Sequence, residues 1–218
     1  MLSKGPTREF SKARHAQRRE LQKARRAAVK GTDWRSNQGL LFAERGGWLL
    51  GVLPMMNLVG DGTCVRLQVK PMAIDPIFWE VVGHPELRHQ PLSFRFYGWM
   101  QCWPLIIEEQ QVSEEGGVDA LAGRVVQLGD ATLKKIADEW TAADFIRGID
   151  SAINPGRLFK TKLMALLAER RFDEAQRLCD DAHARANQVF WSSSRGPLKD
   201  MMAAWIGEQQ DCGKPSSR

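Results

Sequence analysis

Gly39-Leu-Leu-Phe-Ala-Glu-Arg-Gly-Gly-Trp48-Leu-Leu-Gly-Val-Leu53 is the stretch that decides the fold. Two apolar runs, residues 39–43 and 48–53, flank Glu44-Arg45-Gly46-Gly47, and the paired glycines supply the positive φ angles of a tight hairpin. Downstream, Gly60-Asp61-Gly62 leads into residues 63–70, where Val65, Leu67 and Val69 alternate with Arg66, Gln68 and Lys70. That period of two predicts a strand with one buried and one wet face. A fourth strand is read in residues 92–105, extended and aromatic, with Gly98 as the place for a bulge or bend. Together these runs predict a four-stranded, mainly antiparallel meander with helices on one side.

Outward from the sheet, the chain reads as helix. Residues 7–30 hold no Pro or Gly and are rich in Ala, Arg, Lys, Gln and Glu, which lose little on entering a helix. Gly31 ends that helix. Its apolar positions Phe10, Ala13, Leu21, Ala24 and Ala28 recur at spacings of three or four, but most are small, which predicts a thin buried stripe. Asp75-Pro76 reads as an N-cap followed by proline at the first helical position, opening a short helix over residues 77–82 that Gly83 closes. The acidic residues 108–117 read as an exposed loop. Asp130 is the expected cap of a helix running to about Ala152, with a bend near Thr141, and Asn154-Pro155-Gly156 stops it. Residues 158–169 and 173–190 form an expected helical hairpin, and residues 197–210 a last helix. The run Leu166-Leu-Ala-Glu-Arg-Arg-Phe-Asp-Glu-Ala175 is similar to the helix-turn-helix of tetratricopeptide units, but it occurs once, so an array is not expected. The fold class is α+β: a basic N-terminal helix (1–35), a sheet region (36–110) with its short helix, and a C-terminal helical subdomain (118–211) packed on the sheet.

Charge is distributed unevenly. Residues 1–35 hold eleven of the 31 Lys and Arg but only three of the 26 acids, Glu9, Glu20 and Asp33, a net +8 against −3 for the remainder. A basic arm on a slightly acidic body is what a functional account must address. No stretch approaches the roughly 18 consecutive apolar residues of a membrane span, and the first 22 residues are basic and polar, so no membrane partner and a cytoplasmic location are expected. Cys64, Cys102, Cys179 and Cys212 are scattered without a Cys-x-x-Cys pair, which predicts reduced thiols and neither a metal site nor a disulfide framework.

Two surfaces stand out. Within the basic helix, Arg14, Arg18, Arg19, Arg25 and Arg26, with Lys12, Lys23 and Lys30, crowd into a few turns and would attract phosphates if exposed. The competing reading is a solvated helix that packs its Ala and Leu side on the sheet. On the aromatic strand, Leu92, Phe94 and Phe96 facing the core would place Arg95, Tyr97, Trp99, Gln101 and Trp103 on the opposite side, a row of the residue types enriched where proteins dock. Covering helices would turn the same tryptophans into ordinary core.

Enzyme signatures are missing from the sequence. His84 and His89 lie five apart in a Pro-rich loop with no third ligand at metal spacing. Glu108, Glu109, Glu114 and Glu115 are neighbours in sequence, whereas acid–base work needs opposed groups in a pocket. No Gly-rich phosphate loop, Gly-x-Ser-x-Gly or His-Glu-x-x-His occurs. No catalytic residue, metal or cofactor is therefore expected.

Taken in order, the charged opening helix, the hairpin that ends at Trp48, the strand at Val65 to Val69, the run Lys70-Pro-Met-Ala-Ile-Asp-Pro-Ile-Phe-Trp79 and the helical tail resemble small bacterial α+β domains of unknown function. Those domains are encoded beside polymorphic toxins or within phage-defence loci, as immunity-type proteins. The resemblance implies a protein that binds a toxin or effector stoichiometrically, through the row around Arg95 and Trp99 or through the acidic loop. The alternative expectation is a nucleic-acid-associated protein using the basic helix.

Overall fold

The Gly46-Gly47 pair forms the hairpin that its sequence dictates. Both glycines have positive φ, +58° and +80°, and they join β2 (Leu40–Arg45) to β3 (Trp48–Met56) with Arg45 opposite Trp48. In this computed structural model, residues 8–57, 62–92, 102–184, 192–193 and 196–212 are described. The fold is α+β: an N-terminal helix, an antiparallel meander, then helices. The sheet has five strands in the order β1-β2-β3-β4-β5, one more than the sequence predicts. No helix among the described residues is long and apolar enough to cross a membrane.

The chain divides into two compact units, Met1–Lys70 with Pro104–Thr141, and Pro71–Trp103 with Ala142–Arg218. This division differs from the expected consecutive segments 36–110 and 118–211. Residues 117–139 group with the sheet, and the stretch 71–103 groups with the helical tail.

The first unit contains α1 (Arg8–Ala28), β1 (Arg35–Asn37), the β2–β3 hairpin, β4 (Thr63–Pro71, of which Pro71 falls in the other unit), β5 (Leu105–Val112) and α3 (Gly117–Glu139). Two strands differ from the sequence reading. The three-residue β1 pairs with β2 through a Gln38-Gly39 turn in which Gln38 itself takes φ +46°. β5 occupies part of the acidic stretch expected to be a loop; its Glu109 lies opposite Arg66 of β4, and the two side chains pair at 2.5 Å. Because β5 is the last strand in the order, its polar residues suit an edge that stays in water.

Helix α3 starts thirteen residues before the expected cap at Asp130. Gly116 and Gly117, at φ +76° and +81°, turn the chain into it, and Arg124 of its second turn donates to the Ser113 carbonyl at 2.7 Å. Leu121, Ala122, Val125, Gly129, Leu133 and Ile136 form its buried stripe at helical spacing. Asp130 sits mid-helix and accepts a hydrogen bond from the Trp34 indole Nε1 at 2.6 Å. Gly129 lets that indole lie against the helix: a Cβ there would fall 2.8 Å from Trp34 and 3.0 Å from Val52. The helix ends at Trp140, which is extended and meets Trp48 edge to face at 6.0 Å.

The second unit contains α2 (Ile74–Val81), a 3-10 turn (Pro85–His89), α4 (Ala142–Asp150), a second 3-10 turn (Pro155–Leu158), α5 (Phe159–Ala168), α6 (Phe172–Ala184), the two-residue strands β6 (Ser192–Ser193) and β7 (Gly196–Pro197), and α7 (Leu198–Cys212). α2 begins at Ile74, so Asp75 is buried in its first turn instead of capping it. Leu163 to Leu167 of α5 are buried without interruption, the pattern of a central helix, and α5 packs against α2, α4 and α6. Phe78, Phe145, Ile149, Cys179, Met202 and Ile206 are among the buried side chains that the other helices of this unit contribute. Leu92 is helical, where the sequence predicts the start of the long aromatic strand, and residues 93–101 of that strand lie outside the described residues.

Candidate nucleic-acid interface

A helix has 3.6 residues per turn, so positions 14, 21 and 25 share one face of α1. All three are buried, Arg14 to 5% exposure and Arg25 to 4%. The expected stripe is corrected on this point: Ala13 and Ala28 are exposed, and arginines stand on the inward face with Leu21. These two arginines are therefore not part of a phosphate-binding surface.

Arg14 uses its whole fork. Its Nε donates to the Asn57 carbonyl at 2.9 Å, Nη1 to Gln17 Oε1 at 2.8 Å and Glu114 Oε2 at 2.9 Å, and Nη2 to the Gly62 carbonyl at 2.9 Å and Glu114 Oε1 at 3.1 Å. A bidentate guanidinium–carboxylate pair is charge-assisted and geometrically specific. Glu114 also accepts from Thr63 Oγ1 at 2.7 Å and from Gln17 Nε2 at 3.2 Å. The Arg14 hydrogen bonds, with those of Thr63 and Gln17, hold the Glu114 carboxyl down at about 2 against an opposing effect of burial. One arginine thus ties α1 to the chain on either side of the β3–β4 connection and to the segment entering α3. Near the other end of α1, Arg25 Nη1 donates to the Gly39 carbonyl at 2.7 Å, pinning the β1–β2 turn.

With the helix fastened at both ends, its opposite face is fixed outward. Lys12, Arg19, Lys23 and Arg26 are exposed and fall within about a 60° sector, roughly opposite Arg14 and Leu21. From Lys12 to Arg26 the helix rises 14 steps, or about 21 Å. Arg18 is also exposed but stands nearer the side of Arg14 and Arg25 than the row, and Lys30 follows the helix, exposed. Lys23 pairs with Glu20 at 3.0 Å, a contact in water of little worth. Among the described residues Lys12, Arg18, Arg19, Arg26 and Lys30 make no ion pair. Of the five arginines that the sequence singles out, the structure leaves Arg18, Arg19 and Arg26 on the surface. The signal that separates them is present in the sequence: Arg14 and Arg25 stand seven before and four after Leu21.

Of the proposed docking row, Arg95, Tyr97, Trp99 and Gln101 lie outside the described residues. Trp103 is described and is 44% exposed. Its carbonyl accepts from Oγ1 of the fully buried Thr161 at 2.7 Å, and the Arg157 guanidinium stacks 3.9 Å from the ring centroid. Beside it, burial pushes the Lys160 ammonium below its ordinary range, with Cys102 opposing. Arg157 is a residue that the sequence reading missed; nothing in its spacing from Trp103 signals the stack.

The remaining candidates do not converge. His84 Nδ1 lies 3.1 Å from Glu86 and His89 takes a hydrogen bond from Arg88, all at the surface. Among the described residues no group of three His, Cys, Asp or Glu is placed to hold a metal ion. Of the acids, Glu109 pairs with Arg66, Glu114 with Arg14, and Glu108 and Glu115 are exposed. Cys64, Cys102 and Cys179 are thiols outside any disulfide; burial raises the Cys179 thiol to about 11, and its sulfur lies 3.6 Å from that of Met202. Fold and surface together describe an α+β protein that presents a clamped basic helix. Compared with known proteins, the chain matches no family model, no curated protein and no solved structure.

Proposed function

We propose that this chain is a nucleic-acid-binding protein whose contact is the outer face of α1. The observation that supports this reading is the row Lys12, Arg19, Lys23 and Arg26 on the side of the helix turned away from Arg14, Leu21 and Arg25. Cations held on a fixed scaffold release counterions from a phosphate chain on contact, and binding then falls steeply with salt. The test is fluorescence anisotropy of a labelled oligonucleotide across a salt series. Neutralising Arg18, Arg19 and Arg26 together to Gln should weaken binding by roughly tenfold or more near 0.1 M salt. The same variant should flatten the salt dependence by about one unit of log–log slope for each phosphate that is no longer neutralised. Unchanged affinity in that variant rejects the reading.

Protein docking is the second reading, and Trp103 supports it. A half-exposed tryptophan under an arginine that makes no ion pair among the described residues is the pairing enriched at binding hot spots. A guanidinium stacked on a ring retains its in-plane N–H donors, which suit a carboxylate on a toxin or effector surface. In size-exclusion chromatography with a toxin or effector that the wild-type chain retains, a Trp103→Ala/Arg157→Ala variant should lose the complex. Full retention of the complex removes this site from consideration.

A further inference from the structure

We infer that the preferred ligand of the α1 face is a double-stranded nucleic acid, held by its phosphates without regard to base sequence; this rests on the nucleic-acid reading above. Proteins that hold single strands combine cations with exposed aromatic rings on which unpaired bases stack, and the stacking supplies much of their affinity. The outer face of α1 has the cations but no Phe, Tyr or Trp; its one ring is the small imidazole of the exposed His15. Its other residues between Lys12 and Arg26 are Arg, Lys, Gln, Glu and small Ala, and the one benzenoid side chain of the helix, Phe10, is half-buried. The large hydrophobic residues exposed among the described residues are Trp103, Ile106 and Ile153, none of them on α1.

Shape points the same way. Arg14 and Arg25 fasten the helix near its two ends, so the cationic row is a rigid, straight line about 21 Å long. A flexible strand gains nothing from such rigidity and loses freedom in following it. A duplex already holds its phosphates in a regular array at high charge density, one charge per about 1.7 Å of axis. The row also lacks Asn, and Gln22, the Gln nearest to it, is half-buried, so the residue types that pair bidentately with adenine are not displayed outward. Arg and Lys can pair with guanine, so the independence of base sequence rests on their reaching phosphates, contacts that position a protein on the backbone and carry no sequence information.

The experiment compares three labelled probes by anisotropy between 50 and 200 mM salt: a mixed-sequence 20-base-pair DNA duplex, one of its strands alone, and a duplex of the same length with a scrambled sequence. Four cations on duplex phosphates predict a log–log slope of about −3.6, against about −2.8 on a single strand. The duplex should bind about tenfold or more tighter than the single strand, the scrambled duplex should bind equally, and Lys12→Gln and Arg19→Gln should each reduce the duplex slope by about one. Single-strand binding as tight as duplex binding, or a tenfold preference between the two duplexes, overturns the inference while the nucleic-acid reading stands. Absence of binding to all three probes, or binding that the α1 variants leave untouched, overturns both.

Discussion

Replacing Glu114 by Gln leaves the buried Arg14 guanidinium without its carboxylate, while its bonds to Asn57, Gly62 and Gln17 remain. Replacing Arg14 by Leu does more: it leaves the Glu114 carboxylate without its cation and removes the ties to the β3–β4 connection. Arg14 is buried but Glu114 is only half-buried, so the loss is that of unpaired polar groups, about 1–3 kcal/mol, and Arg14→Leu should lower the urea unfolding midpoint below that of Arg18→Leu, whose side chain is exposed. The carboxyl also sets an acid limb. Glu114 is held at about 2 in the folded chain against an ordinary 4.5, so its contribution is fully present above pH 4.5 and is lost as pH falls toward 2. Urea titrations between pH 2.5 and 7 should show that loss in the wild type and a shallower one in Glu114→Gln; parallel curves would contradict the assignment. Gly129 offers a second test. Alanine there gains helix propensity but drives a methyl into the Trp34 indole and Val52, and overpacking of this kind costs about 1–3 kcal/mol. A Gly129→Ala protein that is more stable than wild type by denaturation would contradict the close contact.

Elements whose local and tertiary signals agree were legible in the sequence. The β2–β3 hairpin follows from two glycines in its turn, and β4 from strict alternation at Val65, Leu67 and Val69, all fully buried; the expected wet face holds only in part, since Arg66 and Gln68 are half-buried and Lys70 is fully buried. β1 was not legible because its turn asks a glutamine, Gln38, to take positive φ, a conformation the neighbouring β2 and the Arg25 bond to Gly39 impose. β5 was hidden because half of it is Glu and Gln; its pairing with β4, through Arg66 and Glu109, settles a segment whose own preference is weak. The start of α3 was obscured by Gly123 and Gly129, which weaken a helix in isolation. For the basic face, charge was legible and orientation only in part: the expected stripe is right at Leu21 and partly so at Phe10 and Ala24, but its exposed Ala13 and Ala28 hide the fact that Arg14 and Arg25 share the inward face with Leu21. The same face has a cost within its own helix. Arg19 and Lys23 repel at i,i+4, so Arg19→Gln should raise the thermal midpoint slightly in 10 mM salt, by about 0.3 kcal/mol of stability, and the gain should vanish at 0.5 M. A loss of stability at low salt would show that Arg19 has a structural contact.

At the scale of the whole chain, sequence order and spatial grouping disagree, and this has a consequence for synthesis. The chain leaves its first unit at Lys70, returns at Pro104 and leaves again at Thr141. α1 packs against α3, and the carboxylate that receives Arg14 arrives with residue 114. A ribosome adding about 5–20 residues per second therefore holds α1 and the first four strands outside its exit tunnel for several seconds before their partners emerge. During that interval Arg14 can reach the Asn57 and Gly62 carbonyls but not the Glu114 carboxylate that neutralises it in the finished chain, so the nascent segment carries one more uncompensated positive charge than the folded unit does.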